Sequence, residues 1–389
     1  IRDSYKPEDY ITFKLPVVYN PQAKAENFNK FLREILGSEE DVQIVKEMFA
    51  YCLYRDYIYN KSFLNVGEGE NGKSTLLEVL RTFLGRENVS SVSLQELTTN
   101  RFAIAELYGK LANIYADLPS EMIKDSGAFK ILTGRDLIKA ERKFKNPFQF
   151  VNYAKLIFSA NRVPYAFDES EAYYRRWVII NYPFAFVDNP TKPNEKKKDP
   201  QIIKKLTTEE ELSGILNECV EILPKLLENG FTYKKTTEEI KKQYLKAASS
   251  VAAFVSDCVV EDSEAYVLKE KLYAAYCEYC RREKLPIKSE NLFHKELRKY
   301  VKVSEENKRF GKERKRVYLG IKLVEEMEQA VGIFKVSTDS QQTLNMEKAE
   351  PLESAEPTNT QKEANTSPLM AKSQSSANYL QTLRDKAIY

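Results

Sequence analysis

Apolar and polar positions change period several times along the chain, and each change marks a different kind of element. Residues 1–60 open with spaced apolar positions (Ile11, Phe13, Leu15, Val17) that suit an extended segment. Phe28, Phe31, Leu32 and Ile35 then recur at helical spacing, with Gly37 placed to end that helix. Ser38 can cap a second helix whose stripe is Val42, Val45, Met48, Phe49, Cys52 and Leu53. This part reads as an N-terminal helical collar with no chemistry of its own. From 61 to 187, short apolar runs (63–66, 111–117, 154–160, 178–180) alternate with helical periods, which predicts an α/β core with helices covering a sheet. Ile138 and Ala140 going out, and Phe148 and Phe150 returning, predict a hairpin over 138–150.

The rest of the chain divides in the same way. Residues 188–247 begin with a polar stretch rich in lysine and proline over 188–200, read as a solvated connection. A helical linker or lid follows, with Leu206, Leu212, Ile215, Leu216, Val220, Leu223, Leu226 and Leu227 as its stripe and Asn229-Gly230 as its stop. Residues 248–322 predict helices over 251–258, 269–284 and 289–300, an apolar segment around Val267 and a final hairpin, which together make a winged helix. In 323–389 Ser, Thr, Gln, Asn, Glu and Pro replace the apolar periodicity, so a disordered tail is expected, with a short helix around 379–383.

One stretch carries an explicit chemical pattern. Asn65-Val66-Gly67-Glu68-Gly69-Glu70-Asn71-Gly72-Lys73-Ser74-Thr75 stands between an apolar run and a helical period, with glycines, lysine and serine at phosphate-loop spacing. Glycines let backbone N–H groups curl around phosphate oxygens, and the helix that follows adds its dipole. Lys73 can reach the outer phosphates and the Ser74 hydroxyl can ligate Mg²⁺. Glu68 and Glu70 are acids in a loop meant for anions and are expected to face away from them. A nucleoside triphosphate is the implied ligand; a tight strand-to-helix turn is the plain alternative.

Composition narrows the rest. At 389 residues and 42% hydrophobic content the chain supports several domains with sizeable cores, and no apolar run reaches membrane-spanning length. No signal peptide is visible, so a cytoplasmic location is expected. The sequence opens at Ile1 rather than Met, which suggests an upstream part. With a net charge of only +3, any nucleic-acid surface must come from local clustering. Five scattered cysteines fit a reducing compartment, and the lone pair Cys277-x-x-Cys280 reads as packing ahead of zinc or redox chemistry. His294 is the only histidine, which excludes histidine triads and multi-histidine metal sites.

Further candidates fall around the phosphate loop. The run 111–117 ends in Asp117, where a carboxylate would meet the metal, and 154–160 ends at Asn161, whose amide could orient an attacking water. Arg175 or Arg176 could stabilise γ-phosphate charge, in trans if the protein forms a ring; surface ion pairing is the plain reading. At the hairpin tip, Arg142, Lys143, Phe144 and Lys145 set cations beside an aromatic ring, which suits a single strand; a solvated basic turn is the alternative. The third helix of the C-terminal module presents Lys295, Arg298 and Lys299. Its wing carries Lys308, Arg309, Lys312, Arg314, Lys315 and Arg316 against the single acid Glu313, favouring duplex phosphates over a protein-docking edge.

Taken in order, the loop with Asn71 before Gly72-Lys73-Ser74, the acidic strand, Lys130-x-Leu132-Thr133-Gly134 with Asp136, the strand ending in Asn161, and Arg175-Arg176 resemble a superfamily 3 helicase. The likeness is to the helicase half of poxvirus-type and phage- or plasmid-type primase–helicases, with replication proteins of archaeal plasmids as the nearest suggestion. It implies an AAA+-like P-loop core, usually a hexameric ring, translocating 3′ to 5′ on single-stranded DNA with ATP and Mg²⁺, and a primase upstream in the full-length chain. Carried onto matching positions, Lys73 and Ser74 hold triphosphate and Mg²⁺, Asp117 is the acidic motif, Asn161 the sensor, Arg175 or Arg176 the finger, and the 138–150 hairpin the DNA grip. One departure stands out: Asp117 is followed by Leu118 where many relatives have a second acid, so Glu121, Glu106 or Asp117 itself is left as general base. An ATP-switched, double-strand-specific initiator that does not unwind processively is the competing reading, and a small-molecule kinase a third.

Overall fold

Two helices are built first, and the sequence shows why. Helix α1 (Glu26–Ile35) buries Phe28, Phe31, Leu32 and Ile35, and the chain turns extended at Leu36, just ahead of Gly37. Helix α2 (Glu39–Cys52) starts at Ser38, whose hydroxyl accepts from the Asp41 N–H at 3.1 Å. The computed structural model describes residues 13–283, 285–311 and 313–329, all within a unit spanning residues 1–338. Ile11, Lys312 and the tail beyond 329, including the expected helix at 379–383, lie outside the described residues.

The core follows: β1 (Ser62–Val66), α3 (Lys73–Leu84), β2 (Val89–Ser90), α4 (Leu94–Thr99), α5 (Arg101–Ile104), β3 (Ala112–Tyr115), α6 (Gly127–Leu132), β4 (Leu137–Ala140), β5 (Phe148–Val151), β6 (Lys155–Ala160), α7 (Glu171–Tyr174) and β7 (Trp177–Asn181). Its five-stranded sheet is parallel throughout, in the order β2-β3-β6-β1-β7. Every residue of β6 is buried, as expected for a strand covered on both faces. β1 lies centrally, Phe63 facing Ile157 of β6 on one side and Val178 of β7 on the other. The loops after β1, β3 and β6 therefore leave neighbouring strands at the same carboxyl edge, where open α/β sheets bind ligands. The antiparallel hairpin β4–β5 pairs Ile138 with Phe150 and Ala140 with Phe148, and it leads into the opposite edge, where β6 begins.

Residues 188–200 depart in part from the expected solvated connection, since a strand forms there. β8 (Ala185–Val187) and β9 (Glu195–Lys197) form a small parallel sheet, followed by α8 (Ile202–Leu206) and α9 (Glu209–Asn229). The last helix stops at Gly230 (φ 75°), as its Asn-Gly pair suggested. Glu211 of α9 accepts from the N–H groups of Asn27 and Phe28 at 3.0 and 3.1 Å. It thereby caps α1, whose own N-cap residue Ala25 offers no side chain for the purpose.

The C-terminal module has its own core. It follows α10 (Thr237–Ala248) and comprises α11 (Ser250–Cys258), β10 (Val259–Leu268), α12 (Lys269–Arg282), α13 (Glu290–Tyr300), β11 (Ser304–Phe310) and β12 (Glu313–Leu323). Phe254, Tyr276, Phe293, Leu297 and Tyr318 pack at its centre. The sheet runs β10-β12-β11, so the apolar segment around Val267 is a full strand. Leu323 and Met327 join this core, which carries the module past residue 322. His294 is buried there, its Nδ1 3.2 Å from the Tyr318 hydroxyl, and Cys258 and Cys280 are buried in the same core. Ser289 precedes α13 without making a side-chain capping bond.

Candidate functional site

The loop between β1 and α3 is held in a shape that side chains would obstruct. A Cβ at Gly67 would stand 2.4 Å from Asn71 Nδ2 and 2.8 Å from the Tyr182 carbonyl. Gly72 is left-handed (φ 87°), and a Cβ there would meet the Ile35 side chain of α1 at 2.6 Å. Glu70 is also left-handed, at φ 59°. Because its N-cap is Gly72, α3 begins without a side-chain cap, leaving its N-terminal dipole to whatever occupies the space ahead.

Lys73, the first residue of α3, folds back over this loop. Its ammonium donates to the carbonyls of Gly67 (2.5 Å) and Glu68 (2.8 Å) and to the Oδ1 atoms of Asn71 (3.0 Å) and Asn161 (3.3 Å). Burial lowers its pKa to about 8, against the opposing fields of Asp117 and Glu68. Asn71 Nδ2 is buried with no hydrogen-bond partner among the described residues, a donor left over beside the loop.

A cavity of about 630 Å³ opens here, lined by Gly69, Glu70, Asn71, Gly72, Lys73, Ser74 and Thr75 from the loop, and by Asp117 and Asn161 from the tips of β3 and β6. Chemically, this is a set of N–H donors, one ammonium, two hydroxyls, two carboxylates and two amides. A polyphosphate with a divalent cation shared between phosphate oxygens, hydroxyl and carboxylate suits that set. Among the described residues no three His, Cys, Asp or Glu side chains cluster to hold a metal by themselves.

The rest of the lining was expected only in part. It comes from the collar (Asn27, Lys30, Phe31, Glu34) and from the segment after β7 (Phe186, Lys197, Lys198, Asp199, Ile202, Lys205). The collar was expected to carry no chemistry and 188–200 to be a solvated connection; only the linker after it was expected as a lid. Glu70 lines the cavity rather than turning wholly away, with Lys198 3.8 Å from its carboxylate. The consecutive Lys196, Lys197 and Lys198 were a legible hint of an anion; nothing in the stripe of α1 marked it as a cavity wall.

Other predicted residues lie elsewhere. Arg176 is buried and spent on the interior: Nε donates to Thr133 Oγ1 at 2.8 Å and Nη2 to the Lys130 carbonyl at 3.4 Å, with a further bond to the Ala172 carbonyl. Arg175 is exposed ahead of β7, away from the cavity of its own chain. Lys130 pairs with Asp168 at 2.8 Å. Burial alone would raise the Asp168 pKa, but bonds from Lys130, Ser126 and Ser170 hold it well below the usual carboxylate range. The Lys130–Gly134 motif thus clamps α6 to its surroundings. Glu106 precedes β3 and so falls at the far edge of the sheet, while Glu121 is exposed in the loop after it; neither lines the cavity.

The basic candidates divide by what already occupies them. Phe144 is fully exposed at the hairpin tip with φ 62°, and Lys143 and Lys145 are exposed beside it. In the module, Arg298 is paired with Glu305 and Lys315 with Glu270 at 2.8 Å, while Lys299 lies over the Tyr165 ring at 5.2 Å. Lys308 covers the Tyr266 ring at 3.9 Å. Arg309 faces Arg314 across the hairpin, and Arg316 faces Asn307. Like charges placed opposite one another destabilise a bare sheet.

Comparison with known proteins bears on two segments. Residues 65–176 match a family of unknown function (DUF5906), and residues 246–332 match the family described as Poxvirus D5 protein-like. A protein of Acanthamoeba polyphaga mimivirus named "Putative helicase L207/L206" is 23% identical over 252 residues, 60% of this chain. The chain spans about a quarter of that relative's length, 26%. Among solved structures, the apo C-terminal region of NrS-1 aligns at 12% identity with a TM-score of 0.45, covering 81% of this chain and 79% of that one. A second apo structure of that region, residues 305–718, gives a TM-score of 0.39. No helix among the described residues is long and apolar enough to cross a membrane. In these segments the chain is similar to the helicase half of the poxvirus-type primase–helicases.

Proposed function

We propose that this chain is the motor of a larger replication protein: an ATP-dependent DNA helicase with an AAA+-like P-loop core and a C-terminal winged helix. In this reading ATP lies in the 630 Å³ cavity. The loop N–H groups and Lys73 hold its phosphates, Ser74 and Asp117 share Mg²⁺, and Asn161 positions the attacking water. Bound Mg²⁺ would neutralise charge on the outer phosphates. With Glu106 and Glu121 off the cavity, Asp117 is the carboxylate left to accept a proton. Arg175 acts on the site of a neighbouring copy in a ring, a hexamer in the family it resembles. The 138–150 hairpin grips single-stranded DNA and moves 3′ to 5′, and the winged helix meets duplex DNA through Arg309, Arg314 and Arg316. A primase belongs upstream.

One observation carries this reading: loop, carboxylate and amide, distant in sequence, converge on one cavity at neighbouring strand tips. The deciding experiment measures ATP turnover with and without single-stranded DNA, and unwinding of a tailed duplex, for the unaltered chain and Lys73→Ala. Unwinding that survives Lys73→Ala overturns the proposal. The second reading, an ATP-switched initiator specific for double strands, draws on Arg309, Arg314 and Arg316 of the wing. It requires duplex rather than single strands to stimulate turnover.

A further inference from the structure

A second, smaller hollow of about 260 Å³ lies at the edge where the parallel strands begin, on the far side of the sheet from the phosphate loop. Arg55, Tyr108, Gly109, Phe150 and Tyr153 are among the residues lining it, and no lining residue is acidic. It is smaller than most small-molecule sites, which run to about 300–1,000 Å³, and suits a single flat group.

Tyr108 gives it a rigid wall. Its ring stands edge-on to Phe148 (5.1 Å between centroids, 77°) and to Phe150 (5.4 Å, 85°), which fixes its orientation. It nevertheless remains 52% exposed, so the ring is held by its neighbours while staying open to a ligand. Beside it Gly109 is left-handed (φ 76°), and nothing lies within 4 Å of where its Cβ would stand, so there is room next to the ring. Guanidinium groups flank the space. Arg142 lies 5.9 Å from the Tyr108 ring and 5.4 Å from Phe148, and Arg55 lies 5.0 Å over Tyr153. Arg142 also belongs to the hairpin tip, so it links the exposed cations of the tip to the Tyr108 ring that lines the hollow.

We propose that this hollow takes one unpaired base of single-stranded DNA, stacked on Tyr108, with the adjoining phosphates against Arg142 and Arg55. The inference rests on the DNA-binding reading above and adds a site to it. Every base has a stackable face, whereas in a duplex both faces are already covered, so an open ring beside cations selects unpaired strands. The absence of acidic lining residues excludes the repulsion that a polyanion would meet at most surface hollows.

The test uses the full chain and two fluorescent single strands of equal length, oligo(dT) and the same strand carrying abasic sites, titrated at fixed salt. The unaltered protein should bind oligo(dT) about tenfold or more tighter than the abasic strand. Tyr108→Ala should bring the two within about twofold, and Tyr108→Phe, which keeps the ring, should retain the preference. Arg55→Ala, which removes the lining cation over Tyr153, should weaken both strands and lower the salt slope by about one. Should Tyr108→Ala keep its preference while a combined Lys143→Ala, Phe144→Ala, Lys145→Ala variant loses binding, DNA is held by the tip alone and the hollow is not a base site. If the unaltered protein binds neither strand, the DNA reading itself fails, and this inference with it.

Discussion

The ammonium of Lys73 stands 3.3 Å from the side-chain oxygen of Asn161, joining the loop after β1 to the tip of β6 across adjacent strands. The two residues are 88 positions apart in the chain, and a parallel register alone brings them together. In the proposed ATPase, a group that senses the outermost phosphate would sit close to the lysine that binds it, so this contact is where binding and cleavage would separate.

Asn161→Ala should therefore leave nucleotide affinity within about threefold while lowering single-turnover hydrolysis by tenfold or more. Asn161→Asp should behave differently, because a carboxylate at this distance would pair with Lys73 and compete with the phosphates; affinity itself should fall. Titration with a fluorescent nucleotide, alongside quenched single-turnover assays, distinguishes the two. Equal affinities for both variants would show that Asn161 is remote from the bound phosphates.

The adjacent arginines should have unlike phenotypes. Arg176→Ala strips the partner from Thr133 and from the Lys130 and Ala172 carbonyls, and should lower stability by about 2–4 kcal/mol. Arg175→Ala should leave thermal stability and nucleotide binding unchanged but abolish DNA-stimulated turnover. Mixing Arg175→Ala with Lys73→Ala subunits should restore part of the activity, since each supplies what its neighbour lacks. No recovery on mixing, with mixed assemblies present by native mass, would remove the trans role.

Lys155 offers a pH test within the core. Buried at the start of β6, its ammonium donates to the Tyr54 and Tyr153 carbonyls at 2.6 and 2.8 Å and lies 4.4 Å from the Tyr51 ring. Burial lowers its pKa to about 7, with Cys52 and Asp56 opposing. The folded state thus binds fewer protons than the unfolded state between about 7 and the ordinary lysine value. Its contribution to stability should rise with pH through that window, by at most ~1.4 kcal/mol per pH unit, and be flat below it. Lys155→Met should remove the rise. Denaturant melts of both proteins from pH 6 to 9 read it directly, and parallel pH profiles would mean that Lys155 does not titrate in this window.

On the β11–β12 hairpin, charge opposed to charge predicts where a polyanion binds. Arg309→Ala, Arg314→Ala and Arg316→Ala should each lower the salt dependence of duplex binding by about 0.9. Arg298→Ala should change it less, because Arg298 is already paired with Glu305. In the absence of DNA, Arg314→Glu should stabilise the hairpin by ~0.2–1 kcal/mol by relieving its repulsion with Arg309. A slope unchanged by all the arginine variants would favour a docking edge for another protein.

The local grammar of the chain was legible without coordinates. The strand–loop–helix around Lys73, the hairpin over 138–150, Ser38 as a cap and Asn229-Gly230 as a stop are set by neighbours within a few residues, where backbone preference and side-chain period act directly. Folding in three dimensions decided everything that depends on partners far along the chain. Glu211 caps α1 across more than 180 positions, Arg176 is drawn inward by Thr133, and the lysines after β9 line the same cavity as the loop after β1. The cause is physical: an amphipathic stripe shows which face is buried but not which distant element covers it. Whether a charged side chain stands free or is already paired depends on that covering.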